Sequence, residues 1–202
     1  MLRLHDNLTS GNGFKARLLL AQLARPYQRI EYDIDRRETR TPAFLAKNPN
    51  GRIPLLELED GTFLAESNAI LWYLAEGTPF LPEDRRARAE VLQWMFFEQY
   101  SHEPNIATVR FWITHAVPTT PLMELSLPAK RAQGDAALAV MDGHLARRPF
   151  FVADRYSIAD IALYAYTHVA GEGGFDLAPH AHVRAWLARV AAQPRYIPIS
   201  QP

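Results

Sequence analysis

Residues 50–68 constrain the fold of this chain more than any other stretch. Within them, residues 56–59 alternate apolar with acidic side chains, which is the period of a half-buried strand. Asp60-Gly61 is a strong signal for a two-residue hairpin turn, and residues 62–65 return as a second short strand. An apolar run with helical character follows at once. The stretch therefore predicts an antiparallel hairpin that leads directly into a helix.

The same stretch offers groups that a ligand could use. Pro54 stands at the start of a strand, and a cis bond there would aim the main-chain groups of Ile53 out of the sheet. The helix that begins at Ser67 offers free N–H groups, a positive dipole end and a hydroxyl, which together favour a carboxylate. Glu66 would face an ammonium beside that carboxylate. One interpretation is a site for an extended, peptide-like ligand, and the other is a hairpin followed by an ordinarily capped helix.

The chain before this stretch is predicted to alternate strands and helices. Residues 3–5 and 30–34 have the pattern of short strands, and residues 14–24 carry a broad apolar stripe at helical spacing. A small polar loop, 9–13, precedes that helix, and a short helix precedes the hairpin. Two strands joined by a helix imply a parallel pair, to which the hairpin adds an antiparallel edge. The order predicts a thioredoxin-like α/β domain over residues 1–77.

The second half of the chain is predicted to be all helical. Residues 78–84 hold two prolines and show no periodicity, so they are predicted to link the first domain to a helical domain at 85–202. Pro104 should kink a long first helix, and three prolines predict a loop over 117–128. The helical patterns cover residues 85–115, 129–148, 161–170 and 182–192.

The most apolar of these helices has a clear start. Ser157 and Asp160 have the spacing of a capping box directly before residues 161–170. Because a helix that is apolar on all sides is normally buried, we expect this one in the middle of the helical bundle.

Three elements of the N-terminal half resemble the glutathione-binding half of the cytosolic glutathione transferases. They are residues 48–54 (Asn-Pro-Asn-Gly-Arg-Ile-Pro), the pair Asp60-Gly61 and residues 66–70 (Glu-Ser-Asn-Ala-Ile). The resemblance implies that the bond before Pro54 is cis and that the Ile53 main chain pairs with the cysteinyl unit of glutathione. It also implies that Glu66 and Ser67 hold the γ-glutamyl end. A thioredoxin-like domain followed by an all-helical one is this family's architecture, so the resemblance covers nearly the whole chain.

The resemblance also implies where the glutathione thiol is activated. The chain has no cysteine and no tyrosine before Tyr27, so two thiol donors that family members use are missing. Residues 10–13 (Ser-Gly-Asn-Gly) with Lys15 are similar to the Thr-Pro-Asn-Gly pattern of the bacterial nu-class and yeast prion-type enzymes. In that fold Ser10 and Asn12 lie opposite the proline loop. We predict that Ser10 and Asn12 activate the thiol, with direct thiol contact for Ser10 and positioning for Asn12 as the first choice and the reverse assignment left open. Alternatively, both only cap the helix.

Four further residues are candidates for holding ligand carboxylates. In the nu-like enzymes a polar side chain between the second strand and the second helix reaches the glycine carboxylate, and Thr39 or Arg40 takes that position here. Arg52 is near enough in sequence to serve instead. For these three, a solvated surface position is the alternative. By the same analogy Arg110, flanked by apolar and aromatic residues, could reach a glutathione carboxylate or an electrophile, and a structural ion pair is its alternative.

Composition excludes several classes of function. Twenty-two Lys and Arg balance 22 Asp and Glu, so no bulk field would recruit nucleic acid or an anionic membrane. No apolar run approaches the length that spans a bilayer, and the N-terminus lacks the pattern of a signal peptide, so we expect a cytoplasmic location. The absence of cysteine excludes thiolate metal sites, and the seven histidines form no local metal pattern, so no metal is expected.

The resemblance implies a glutathione transferase of the bacterial nu-like or theta-like type, which would activate glutathione as a thiolate for attack on a small hydrophobic electrophile, as in detoxification. Glutathione would be a substrate, and the resemblance implies a homodimer that needs no bound prosthetic group. Two alternatives stay open. One is a glutathione-dependent disulfide reductase, in which glutathione attacks a bound disulfide. The other is a transferase-like binding protein without catalysis.

Overall fold

The computed structural model describes all 202 residues, which divide into two compact units. The first consists of residues 1–78 together with 193–202, and the second of residues 79–192. The first unit has a thioredoxin-like sheet with helices, and the second is helical, which confirms the predicted fold class. The two predicted domains, 1–77 and 85–202, are continuous segments, whereas the last ten residues of the chain belong to the first unit of the structure.

A four-stranded sheet in the order β2-β1-β3-β4 forms the base of the first unit. Its strands are β1 (Leu2–Asp6), β2 (Tyr27–Glu31), β3 (Leu55–Glu57) and β4 (Phe63–Ala65). β1 and β2 run parallel, while β3 runs antiparallel to both β1 and β4. Gly61 in the β3–β4 turn has a φ of 84°, which glycine adopts without steric cost. This is the predicted parallel pair with a hairpin at its edge.

Helices cover both faces of this sheet. They are α1 (Gly11–Gln22), α2 (Pro42–Leu45) and α3 (Ser67–Ala75), with a short 3₁₀ turn at Glu38–Arg40. Side chains of β1 point alternately to opposite faces. Asp6 contacts Arg17 of α1 on one face, whereas the His5 ring meets Phe44 of α2 edge-on at 6.4 Å on the other. α1 and α3 pack together on the same face, where their leucines are buried.

Two predicted boundaries in this unit are wrong. β2 covers residues 27–31 rather than 30–34, because its parallel register with β1 pairs Leu2 with Tyr27 and ends at Glu31. α1 begins at Gly11 rather than at Phe14. The segment that looked like a polar loop includes the first turn of the helix, since glycines there hid the helical pattern.

The second unit is a bundle of helices. They are α4 (Arg85–Phe97), α5 (Glu103–Thr114), α6 (Pro121–Leu145), α7 (Ile158–Thr167) and α8 (Ala181–Ala191). A π-helical turn, Glu98–His102, separates α4 from α5. Pro104 follows in the first turn of α5. Because proline has no backbone N–H, it cannot donate the hydrogen bond that would continue α4 as a regular α-helix. The long helix predicted over residues 85–115 is thus interrupted by the π-helical turn that directly precedes α5 and Pro104. None of the helices combines the length and apolar character that crossing a bilayer requires.

The predicted loop over residues 117–128 is wrong beyond Thr120. Thr120 caps α6, its Oγ1 accepting from the Met123 N–H at 3.3 Å, and Pro121 takes the first helical position. The fixed φ of proline suits that position, so proline there starts a helix instead of ending one. Pro128 lies inside α6, where it removes one helical hydrogen bond without ending the helix.

α7 is the centre of the bundle, as predicted. All ten of its residues are buried. Ser157 and Asp160 form the predicted capping box. The Ser157 side chain accepts from the backbone N–H of Asp160, and the Asp160 side chain accepts from the backbone N–H of Ser157. The helix begins at Ile158, three residues before the predicted start, because the capping residue stands immediately before the first helical residue.

Candidate functional site

Strand register brings three segments of the first unit together at one end of the strands. His5 of β1 pairs with Leu55 at the start of β3, and Leu55 pairs in turn with Ala65 at the end of β4. Pro54 precedes β3 and Glu66 follows β4, so these two residues are neighbours across the hairpin. The chain that leaves β1 enters α1 at the same edge. The starts of α1 and α3 therefore lie beside the proline loop.

The loop before β3 is held by its own hydrogen bonds. The peptide bond between Ile53 and Pro54 is cis, as the resemblance implies. Asn48 Nδ2 donates to the carbonyl oxygen of Arg52 at 2.8 Å, and the N–H of Asn50 donates to Asn48 Oδ1 at 3.1 Å. The buried Asn48 side chain thereby fixes the turn that presents the main chain of Ile53.

α3 begins at Ser67, after a residue in an unusual conformation. Glu66 has a φ of 68° and a ψ of 117°, a region that residues other than glycine rarely adopt. Backbone strain of this kind costs about 1–3 kcal/mol and clusters at ligand sites. The Glu66 side chain is exposed, whereas Ser67 is buried. The N–H groups in the first turn of α3 are suited to an anion such as a carboxylate.

α1 begins with a capping serine. Ser10 Oγ accepts a hydrogen bond from the N–H of Gly13 at 3.2 Å. Because the oxygen accepts this bond, its own O–H can still donate to a ligand. The half-buried Asn12 lies in the same first turn. A hydroxyl donor at the positive end of a helix is an arrangement that stabilises a thiolate over a thiol.

A chain of side-chain hydrogen bonds joins the two helix starts. Ser67 Oγ donates to Asn12 Oδ1 at 3.0 Å, and Lys15 Nζ donates to Ser67 Oγ at 3.2 Å and to Asn68 Oδ1 at 3.4 Å. The Lys15 side chain is fully buried. In the sequence Lys15 stands out only as part of a pattern, and these contacts were not predicted. The available signal was a lysine within the apolar run of α1. Such a lysine indicates polar partners, because a buried cation needs them.

A buried ion pair beneath α1 was also missed. Arg17 Nε lies 2.9 Å from Asp6 Oδ2, and both side chains are fully buried. Burial raises the pKa of Asp6 to about 6, although the Arg17 guanidinium acts to lower it. Arg17 also donates to the carbonyl oxygens of Leu8 at 2.6 Å and of Ile199 at 2.9 Å. The pair thus holds the segment between β1 and Ser10 and attaches the C-terminal segment to it.

The three candidates for the glycine carboxylate lie around the proline loop. Thr39 is buried, while Arg40 and Arg52 are exposed. Arg40 Nη1 donates to the carbonyl oxygen of Asn50 at 2.9 Å. Gly51 makes this contact possible, because a Cβ there would lie 2.5 Å from Arg40 Nη1. Arg40 therefore braces the loop, and its remaining N–H groups are the ones a ligand could use.

Arg110 lies in the second unit, on α5. Its Nε donates to Glu172 Oε2 at 2.7 Å, and its side chain is 9% exposed. This is the structural ion pair that the sequence left open as an alternative. No three side chains of His, Asp or Glu gather where they could hold a metal ion.

The whole chain is similar to proteins of known family. Residues 1–76 match the family model of the glutathione S-transferase N-terminal domain, and residues 121–194 match that of the C-terminal domain. The chain is 31% identical to disulfide-bond oxidoreductase YfcG of Escherichia coli K12 over 190 residues, covering 91% of this chain and 87% of that protein. It is 30% identical to glutathione S-transferase GstB of the same strain over 201 residues, covering 96% and 95%. A crystal structure of a possible glutathione S-transferase from Rhodopseudomonas palustris matches with a TM-score of 0.96 at 50% identity, covering 100% and 98%.

Proposed function

Because this chain belongs to the glutathione S-transferase family, we propose that it binds glutathione in extended form where α1 and α3 begin. The Ile53 main chain pairs with the cysteinyl unit, Ser67 and the first turn of α3 bind the γ-glutamyl carboxylate, and Glu66 faces the ammonium. The observation that carries the proposal is the 3.0 Å hydrogen bond from Ser67 to Asn12. It joins a helix start suited to a carboxylate to a helix start suited to a thiolate.

Ser10 is the proposed donor to the glutathione sulfur. A cysteine thiol has a pKa near 8.5, and lowering it by about 2 units requires roughly 2.7 kcal/mol of preference for the thiolate. One hydrogen bond to a charged acceptor contributes about 1.5–3 kcal/mol, and the helix end adds to it. Asn12 stays the alternative donor: its Oδ1 accepts from Ser67, which orients the amide, and its Nδ2 is the group that would donate to the sulfur.

Replacing Ser10 with alanine should raise the pKa of the bound glutathione thiol by about 1–2 units, because one donor to the thiolate is lost. The ultraviolet absorbance of the thiolate, followed against pH in the binary complex, measures this shift. Thr9→Ala is the matched control, since the Thr9 hydroxyl donates to Asn7 Oδ1 at 2.8 Å outside α1. An unchanged thiol pKa in folded Ser10→Ala protein would refute the assignment of Ser10.

The proposed reaction is attack of the thiolate sulfur on a small hydrophobic electrophile, with formation of a carbon–sulfur bond and departure of the leaving group. Reduction of a disulfide is the second candidate, in which the thiolate forms a new sulfur–sulfur bond and releases a thiol. The 31% identity to a protein named as a disulfide-bond oxidoreductase favours it. The missing cysteine does not oppose it, because glutathione brings the thiol.

Two substrates tested on one preparation separate these reactions. We expect conjugation of an aryl halide to dominate if the protein is a transferase, and reduction of hydroxyethyl disulfide to dominate if it is a reductase. Either activity should fall in Ser10→Ala protein. A protein that binds glutathione but turns over neither substrate would instead be a binding protein, and both catalytic proposals would be wrong.

Three accessory proposals complete the functional assignment. Thr39, Arg40 and Arg52 stay candidates for the glycine carboxylate, and Arg110 stays a candidate for binding a ligand carboxylate or an electrophile. We also propose a homodimer. Three apolar side chains, four residues apart along α4 and the turn that follows it, are exposed, and a second copy of the chain would cover them. They are Leu92, Phe96 and Tyr100, with exposed fractions of 38%, 69% and 87%.

A further inference from the structure

We propose that Lys15 is a positioning residue that fixes the Ser67 hydroxyl as a hydrogen-bond donor. The subsite at the start of α3 then selects a group that only accepts hydrogen bonds, such as a carboxylate. This inference rests on the proposed function, because it states how the same site would recognise the γ-glutamyl carboxylate of glutathione.

Three contacts of the Ser67 hydroxyl and its neighbours carry the proposal. Lys15 Nζ lies 3.2 Å from Ser67 Oγ and 3.4 Å from Asn68 Oδ1. Ser67 Oγ lies 3.0 Å from Asn12 Oδ1. The Lys15 side chain is 0% exposed and Ser67 is 6% exposed, so water competes little for these bonds. The serine hydroxyl is thus held between a lysine and an amide oxygen.

The chemistry of lysine decides the direction of these bonds. An ammonium has three donor hydrogens and no acceptor, so the Ser67 oxygen must accept from Lys15. A hydroxyl has one hydrogen, and that hydrogen must therefore point away from the lysine. In the protein without ligand it points at Asn12 Oδ1. Lys15 thereby fixes the direction in which Ser67 donates.

This fixed direction determines what can bind. A carboxylate oxygen offers only acceptor sites, so it can replace Asn12 Oδ1 as the partner of the Ser67 hydroxyl. An amide NH₂ or an ammonium in the same place would bring its own hydrogens against the hydrogen of the Ser67 hydroxyl, where no lone pair is available to accept them. Without Lys15, the hydroxyl could rotate and accept from such a group, and the subsite would lose its preference for an acceptor.

A purely structural role for Lys15 makes a different prediction. Lys15 connects α1 to α3, and loosening that connection would weaken the binding of every glutathione analogue by a similar factor. A positioning role weakens only those ligands that carry the γ-glutamyl α-carboxylate. Comparison of two ligands therefore separates the roles, independently of any loss of stability.

The test is calorimetric titration of wild-type and Lys15→Met protein with glutathione and with γ-aminobutyryl-cysteinylglycine, which lacks the α-carboxylate. We expect Lys15→Met to weaken glutathione binding by about 10–100-fold, the effect of one charge-assisted hydrogen bond, and analogue binding by less than about twofold. In a Ser67→Ala background, Lys15→Met should also change glutathione affinity by less than about twofold, because the residue it positions is gone. Equal losses for the two ligands would overturn the proposal.

A second variant and a second ligand cover the case in which Lys15→Met does not fold. Lys15→Gln keeps a long polar side chain that can donate or accept, and it should show the same difference between the two ligands. Wild-type protein should bind glutathione with its α-carboxylate changed to a carboxamide at least about 30-fold more weakly; a loss below about threefold would overturn the proposal. Wild-type protein that does not bind glutathione at all would overturn the proposed function itself.

Discussion

Replacing Asp160 with alanine should lower the free energy of unfolding by about 4–6 kcal/mol, because four buried donors lose one acceptor group. The Asp160 side chain is 0% exposed. Its Oδ1 accepts from Trp186 Nε1 at 2.9 Å and from the N–H of Phe151 at 3.2 Å. Its Oδ2 accepts from the N–H of Ser157 at 2.9 Å and from Ser157 Oγ at 3.2 Å. Urea unfolding followed by circular dichroism measures the loss.

The charge of Asp160 matters to this expectation. Burial raises the pKa of Asp160 to about 6, although the four donors act to lower it. That value is still below neutral pH, so the carboxylate accepts all four bonds as an anion. Asp142→Ala is the matched control, because Asp142 accepts from the N–H groups of His182 and Val183 at 2.8 and 3.0 Å but is partly exposed. Its loss should cost only about 1 kcal/mol, and equal costs for the two variants would contradict the role given to Asp160.

Gly13→Ala should destabilise the first unit by about 3–5 kcal/mol. A Cβ at Gly13 would lie 1.6 Å from Asp6 Oδ1 and 2.6 Å from Asp6 Cγ. Asp6 cannot yield without leaving its buried partner Arg17, whose Nε is 2.9 Å away. The alternative is a shift of α1, which would move Ser10 and weaken glutathione binding as well. Thermal unfolding and glutathione titration of the same variant measure both effects.

Gly143→Ala provides the control for the added methyl group. Gly143 also lies in a helix, α6, but no atom comes within 4 Å of a Cβ placed there. The substitution should stabilise the protein by up to about 1 kcal/mol, because alanine favours a helix more than glycine does. Gly13→Ala protein as stable as the wild type would show that the contact with Asp6 is not a constraint.

The hairpin and the helix at Ser67 were predictable because their signals are local. Alternation of side chains over residues 56–59 and the pair Asp60-Gly61 determine a hairpin through neighbouring residues alone. The start of α1 was misplaced because Gly11 and Gly13 have poor helix propensity, and the capping bond of Ser10 outweighs it. Likewise, Pro121 looked like part of a loop, although the cap at Thr120 makes it the first residue of α6.

The contacts that build the candidate site were less predictable, because they join residues far apart in the chain. The sequence indicated Ser10, Asn12 and Ser67 separately and through a resemblance. It did not reveal that Ser67 donates to Asn12 across 55 residues, or that Lys15 donates to Ser67. Buried polar residues in an apolar helix were the available signal, since such residues need partners. Which partners they find is decided by how α1 and α3 pack, and spacing alone does not determine that.

Calorimetric titration of glutathione into wild-type and Ser67→Ala protein tests the central claim most directly. We predict saturable binding to the wild type at one glutathione per chain, with a dissociation constant of about 1 mM or below. Ser67→Ala should weaken it by about tenfold or more, because the γ-glutamyl carboxylate loses a donor at the start of α3. No saturable binding to folded wild-type protein, or the same affinity in both proteins, would contradict the proposal that glutathione lies along Ile53 with its carboxylate at Ser67.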